Sequence, residues 1–348
     1  MHKRPAYDER VPNSLNPLAL LARRWQPSAT FVERAALATV VMAVLIVVGG
    51  GAVRLTDSGL GCPTWPTCTP QSLTPTRAMG IHGAIEFTNR MITDVLCVVV
   101  GVAILAARSR SPWRRGLTRL AWAQFWVVMG NAVLGGIVVL TGLNPYLVGS
   151  HDVLAFSLLT VAVLMWHRTR EGDAPVRDLA PRPVRQLTWV LAAATAGLLL
   201  AGTVVTGAGP HAGDARKVHR IPVDWREVTQ LHTDFVWSVV GLTVALWFVL
   251  RATGAGAGPL RRVAELFWVL MAQGVIGYVQ YATHVPVGLV EAHMFGACLV
   301  WIAMLRVVLS LRERPAATAE GDPALPAQDS ARGPAQEPAQ GSGVTTAV

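Results

Sequence analysis

Eight stretches of about twenty mostly apolar residues set the terms for this chain. They run roughly over 33–54, 84–107, 118–141, 147–167, 187–207, 230–250, 263–282 and 288–310. A bilayer core of about 30 Å needs that many residues at about 1.5 Å of helix rise each. The expected fold class is therefore all-α and integral to a membrane, with eight transmembrane helices. The first stretch is too long, and starts too far from residue 1, to read as a cleaved signal peptide, and no A-x-A site follows it.

The composition agrees. Of 348 residues, 52% are hydrophobic and only 15% charged, a balance seldom met in soluble proteins. The net charge of +9 raises the question of nucleic acid, and its placement answers no. Arg108, Arg110, Arg114 and Arg115 lie between segments 2 and 3, with Arg119 at the entrance of segment 3. Arg168, Arg170, Arg177, Arg182 and Arg185 lie between segments 4 and 5, and Arg251, Arg261 and Arg262 between segments 6 and 7. The loops after segments 3 and 7 carry no Lys or Arg. The positive-inside rule then puts both termini in the cytoplasm of a cell (plasma) membrane protein. The loop at 208–229 is an exception, with Arg216, Lys217, Arg220 and Arg226, offset by Asp214, Asp224 and Glu227. The ends of the chain are rich in charge, Pro, Ala, Gln and Gly, and cannot bury a core. Residues 1–32 and 312–348 read as disordered cytoplasmic tails.

The segments repeat. The odd-numbered ones end alike, in "GGGAVRLTDSG", "LGGIVVLTG", "AGTVVTGAG" and "GVIGYVQYAT". Small residues there let a neighbouring helix or a flat ligand approach the backbone. Of the even-numbered segments, three carry a histidine near the outer entrance: His151, His232 and His293. His232 and His293 are 61 residues apart, and Asn89 and His151 are 62 apart. Segments 1–4 and 5–8 thus read as two copies in the same orientation. The expected architecture is two tandem pseudo-symmetric four-helix bundles, at 33–167 and 187–311, joined by a cytoplasmic linker at 168–186.

Polar side chains inside a bilayer are costly and usually functional. A lone histidine is more often a hydrogen-bonded structural residue. Two at matching depth on paired helices also suit a haem held by both faces, in a setting where bundle cores host cofactors. Zinc competes, but its sites need three or four clustered ligands, and no cysteine lies nearby. In the first copy Asn89 stands where the second has His232. Asparagine is a poor iron ligand, so a haem there would have His151 on one side and a weak or open face on the other.

"IHGAIEFTNRM" (81–91) adds His82, Glu86 and Arg90. On a helix, positions 82, 86 and 89 share about a 60° arc, with His82 roughly 10 Å above Asn89. His82 either reaches the iron of a haem seated high or only bonds a propionate or Glu86. Glu86 either pairs structurally with Arg90 or faces a substrate, moving protons or stabilising a cationic state. Cys62 and Cys68, in "GLGCPTWPTC", lie on the outer, oxidising side, where a disulfide suits either a structural staple or a reducible control. Cys97 and Cys298 sit mid-helix and read as buried fillers.

Taken together, the outer loop "LTDSGLGCPTWPTC", the entrance "IEFTNRM", the run "GLNPYLVGSH", "QLH" in segment 6 and "GLVEAH" in segment 8 resemble the haem A synthase family. The resemblance covers about residues 33–310. It implies an oxidoreductase that converts a ring methyl of haem O to a formyl group, making haem A for cytochrome c oxidase, with haem b as cofactor in the C-terminal half. It implies His232 and His293 as haem b ligands and His151 facing the iron of the substrate haem. It implies Glu86 as the functional glutamate, and Cys62 with Cys68 as the outer-loop pair. Where many members read E-x-x-H-R, this chain reads Glu86-Phe-Thr-Asn89-Arg90. In that it is similar to actinobacterial-type members with H-x-x-x-E-F-x-N-R. Haem O is the expected substrate. Expected partners are haem O synthase, an electron donor such as quinol or a redox protein, the lipid bilayer and a second copy of the chain. The main rival is a haem b electron-transfer membrane protein without haem-modifying activity, whose two sites should both be bis-histidine. A transporter or haem-insertion chaperone should instead place polar residues at the membrane midplane.

Overall fold

The computed structural model describes residues 22, 24–214 and 219–315. Eight long helices follow one another: α1 (Ala29–Leu55), α2 (Gly80–Ser109), α3 (Arg115–Leu140), α4 (Pro145–Thr169), α5 (Arg182–Ala208), α6 (Trp225–Ala252), α7 (Ala257–Ala282) and α8 (Val287–Ser310). All eight are long and apolar enough to cross a membrane, and the chain is a multi-pass membrane protein. They outrun the apolar stretches because polar first turns remain helical when their free N–H groups are capped. Ser28 accepts from the Phe31 N–H at 3.1 Å. Asn144 accepts from Tyr146 at 3.0 Å, just ahead of Pro145. Asp224 accepts from both Arg226 and Glu227.

The helices close two rings. α1 packs on α2, α2 on α3, α3 on α4, and α4 back on α1; α5 to α8 repeat the pattern. α1 also meets α8, and α4 meets both α5 and α8. The four outer helices α2, α3, α6 and α7 touch only their ring neighbours. One core of buried Val, Leu and Ala draws mainly on the first four helices, another on the last four, and Trp301 packs against both. The Trp301 indole N–H donates to Thr160 Oγ1 at 2.8 Å, joining α8 to α4.

The turns repeat as well. Between α3 and α4, Gly142 and Leu143 take φ of 64° and 61°; between α7 and α8, His284 and Val285 both take 63°. The Leu143 N–H reaches the Val138 carbonyl at 2.9 Å, and the Val285 N–H reaches Gln280 at 2.8 Å. A non-glycine residue at positive φ is uncommon. Three of them spread over two corresponding turns mark a shared backbone design that side-chain identity did not dictate.

At the basic end, two-residue strands β1 (Arg177–Asp178) and β2 (Arg312–Glu313) pair antiparallel. The Gly172 N–H bonds the Arg314 carbonyl at 2.8 Å, and Arg185 pairs with Asp178. The linker is thus tied to the chain that leaves α8. Most of the expected tails, residues 1–21, 23 and 316–348, lies outside the described residues.

Candidate functional site

Four slots of one design are cut between successive helices. In each, a glycine on an odd-numbered helix lets a polar side chain of the next helix come against bare backbone. A Cβ on Gly135 would stand 3.0 Å from His151 Cε1; on Gly202, 3.1 Å from His232 Cε1; on Gly277, 3.2 Å from His293 Cε1. On Gly49 it would stand 2.6 Å from Asn89 Oδ1. A side chain at Gly49 would displace the amide, and one at Gly135, Gly202 or Gly277 would press on the imidazole by a few tenths of an ångström. The Nδ1 atoms of all three histidines are buried without a full hydrogen bond, as is Asn89 Oδ1. The carbonyls of Asn131 and Leu198, one turn before the glycines, lie beside His151 and His232.

In the second ring the two slots face each other. The His232 and His293 ring centres are 6.4 Å apart, with 63° between the ring planes. Metal–nitrogen bonds of about 2 Å on each side, with ring centres about 1.1 Å behind the nitrogens, need roughly 6.2 Å. The spacing of the two ring centres is thus close to that of two imidazoles on one iron. Among the described residues, no three His, Cys, Asp or Glu side chains converge as a metal cluster.

In the first ring a cavity of about 800 Å³ opens. Asn89 and His151 border it, with Glu86, Arg90 and Asp94 from α2 and Asn131 from α3. It extends to His232, His293 and Thr203, so its far wall belongs to the second ring. Its volume lies within the range of small-molecule sites.

A disulfide joins Cys62 to Cys68 and closes a short loop over this cavity. The loop is fastened from below. Glu86, 5% exposed, accepts from the Cys62 N–H at 2.6 Å through one oxygen and from Arg90 at 2.5 Å through the other. Arg90 also donates to the carbonyls of Cys62, Thr64 and Thr67, at 2.9, 3.0 and 3.2 Å. Glu86 and Arg90 thus do form a pair, and that pair is the loop's anchor as well as a wall of the cavity. The loop in turn carries Trp65, whose indole lies so near Gly136 of α3 that a Cβ there would stand 2.6 Å from it. Trp65 and Pro66 form part of the cavity lining.

His82 stands apart. It is exposed, and its Nδ1 shares a 3.1 Å hydrogen bond with Ser58 Oγ. It is absent from the cavity lining. Arg54 borders the cavity and donates to the carbonyls of His211 and Thr206, at 2.9 and 2.8 Å. His211 donates in turn to the Val285 carbonyl at 3.0 Å.

Several site residues escaped the reading of the sequence. Glu291 carries two buried carboxylate oxygens with no partner, aimed at Gly51 of α1, where a Cβ would stand 2.8 Å from Oε2. Asp152 accepts from Thr203 at 3.3 Å across the two rings. Asp94 and Asn131 border the cavity. The signal was available, since each is an ionisable or amide side chain within an apolar run.

Comparison with known proteins fits this geometry. Residues 33–305 match the family described as cytochrome oxidase assembly protein. The chain is 28% identical to the heme A synthase of Geobacillus thermodenitrificans over 155 residues, 42% of this chain and 48% of that one. It is 28% identical to the heme A synthase of Lysinibacillus sphaericus over 148 residues, 40% of this chain and 46% of the relative. These matches span about half the length of either relative. A third, the heme A synthase of Shewanella oneidensis, is 22% identical over 322 residues, 80% of this chain and 96% of the relative.

Proposed function

The chain belongs to the cytochrome oxidase assembly protein family, and from that premise we propose that it is a haem A synthase, oxidising a ring methyl of haem O to a formyl group. The observation that carries the reading is the set of four slots. Two hold histidines whose ring centres are spaced to suit one haem iron, and the side chains of all four border one cavity lined mostly by the first ring.

In this reading His232 and His293 hold haem b, with Gly202 and Gly277 leaving room for the imidazoles. When bound, haem b supplies a one-electron redox centre, while the protein supplies position and electrostatics. The first ring takes haem O. His151 would take its iron, and Gly50 of α1 borders the cavity with no side chain standing over it. Glu86 sits at the cavity wall with one oxygen on the Cys62 N–H and the other on Arg90. There it can hold a proton or balance positive charge that develops on the methyl carbon. Trp65 and the disulfide loop exclude water from the outer side. Arg54, held by two carbonyls, offers its charge to a propionate.

The domain assignment follows. Residues 33–167 form the substrate half, 187–311 the haem b half, and 168–186 the linker on the cytoplasmic side with both termini. The Cys62–Cys68 loop then lies outside the cell membrane. Haem O synthase as supplier, a quinol or redox protein as electron donor, and a second copy of the chain complete the proposed partners.

Protein purified from cells that make haem O should yield haem b together with haem O or haem A, separated by chromatography with mass detection. Added haem O should be converted, and His151→Ala should stop the conversion while haem b stays. Haem b alone, unaffected by haem O and by His151→Ala, would leave an electron-transfer cytochrome as the better account.

A further inference from the structure

We infer that the two halves hold iron differently: the first half takes its haem by His151 alone, and the opposite face, toward Asn89, stays open. This rests on the haem A synthase reading, since it needs a haem in the first ring. The four slots give the comparison its force. Three hold an imidazole against a glycine, and the fourth holds the Asn89 carboxamide against Gly49. The backbone niche is conserved within the chain while its occupant changes. A carboxamide is neutral, shorter than imidazole, and outside the usual set of axial haem ligands.

Of the other groups on α2, Met91 and Asp94 also border the cavity, and neither stands against the glycine of the slot, which meets Asn89 and Ile92. His82, the one further imidazole on that helix, lies about 10 Å nearer the outer surface. It is exposed, engaged with Ser58, and absent from the cavity lining. Glu86 and Arg90, between the two positions, are committed to the disulfide loop. What remains at the slot is the Asn89 oxygen, buried and without a hydrogen-bond partner, beside an open cavity. That oxygen lies against the Gly49 backbone, so the carboxamide fills the niche without supplying an iron ligand.

The test is spectroscopic and needs no turnover. Full-length protein carrying its haems is examined by iron-to-protein ratio, electron paramagnetic resonance and carbon monoxide binding after reduction. The expected result is one low-spin haem that ignores carbon monoxide and one high-spin haem that binds it. Asn89→His should turn the high-spin signal low-spin and abolish carbon monoxide binding. His82→Ala should leave the wild-type spectra unchanged. Two low-spin haems, both silent to carbon monoxide, would overturn the inference. A high-spin signal appearing only in His82→Ala would assign the ligand to His82. If Asn89→His does not fold, the wild-type and His82→Ala spectra still decide. A ratio that stays at one haem per chain after haem O is supplied in excess would sink the two-site reading itself, and the ratio separates that failure from a failure of the coordination alone.

Discussion

The two rings are built from one plan and differ where it counts. Both cut glycine-backed slots between neighbouring helices, and both turn their third helix into their fourth through paired positive-φ residues. In the second ring the slots hold two histidines 6.4 Å apart. In the first they hold Asn89 and His151 beside a cavity of about 800 Å³. A ring with both slots filled by strong donors suits a permanent cofactor. A ring with one such donor and free volume suits a guest that must arrive, react and leave. The scaffold supplies the niche; the identity of one side chain changes what the niche does.

The sharpest way to break the comparison is to remove donors one ring at a time. His232→Ala or His293→Ala should abolish stable haem b retention, read as haem per protein, whereas His151→Ala should leave haem b in place. Equal loss from all three would mean that the rings are not separate sites. Next in size is the clamp under the loop. Glu86→Ala leaves the Cys62 N–H without an acceptor and Arg90 with its carbonyls but no carboxylate, a local cost of about 1–3 kcal/mol. It should appear as faster hydrogen exchange over residues 61–69 and easier reduction of the Cys62–Cys68 bond, with the second ring unaffected. Unchanged exchange would show that Glu86 does not anchor the loop.

The slots should respond more mildly. Gly202→Ala and Gly135→Ala add a methyl about 3 Å from an imidazole, an overpacking cost of about 1–3 kcal/mol. Gly202→Ala should weaken haem b binding, and Gly135→Ala should weaken haem O binding instead. Effects falling on the same haem would contradict the assignment. The smallest effect belongs to the joint between the rings. Trp301→Phe removes the hydrogen bond to Thr160 and should cost about 1 kcal/mol, seen as a slightly lower melting temperature with both haem spectra intact.

Much of this was legible in the sequence. Hydrocarbon thickness fixes a length of apolar chain, so the eight helices could be counted. Their ends could not be placed by apolar content, because caps such as Ser28 and Asp224 are polar. The correspondence of Asn89 with His232 followed from equal spacing, since a repeated backbone keeps depth in register. The glycine opposite each of them was visible only as a small-residue motif, because which glycine meets which side chain depends on helix rotation. His82 shares a helical arc with Glu86 and Asn89, but the arc says nothing of the loop that passes over the first turn, where Ser58 takes the ring. The Arg90 bonds to three carbonyls could not be read at all, because backbone carbonyls carry no sequence signature. Glu291 lies within "GLVEAH", and its isolation shows only once Gly51 is seen across from it.

The cavity of the first ring borrows its far wall from α5, α6 and α8, through Thr203, His232 and His293. A chain emerging from the ribosome delivers its N-terminal part first. The four helices of the first ring are thus made before the wall that completes their chamber. The last helix, which packs on α1 and α4, brings His293 to that wall. Order of synthesis leaves the guest's chamber unfinished until the later half of the chain is in place.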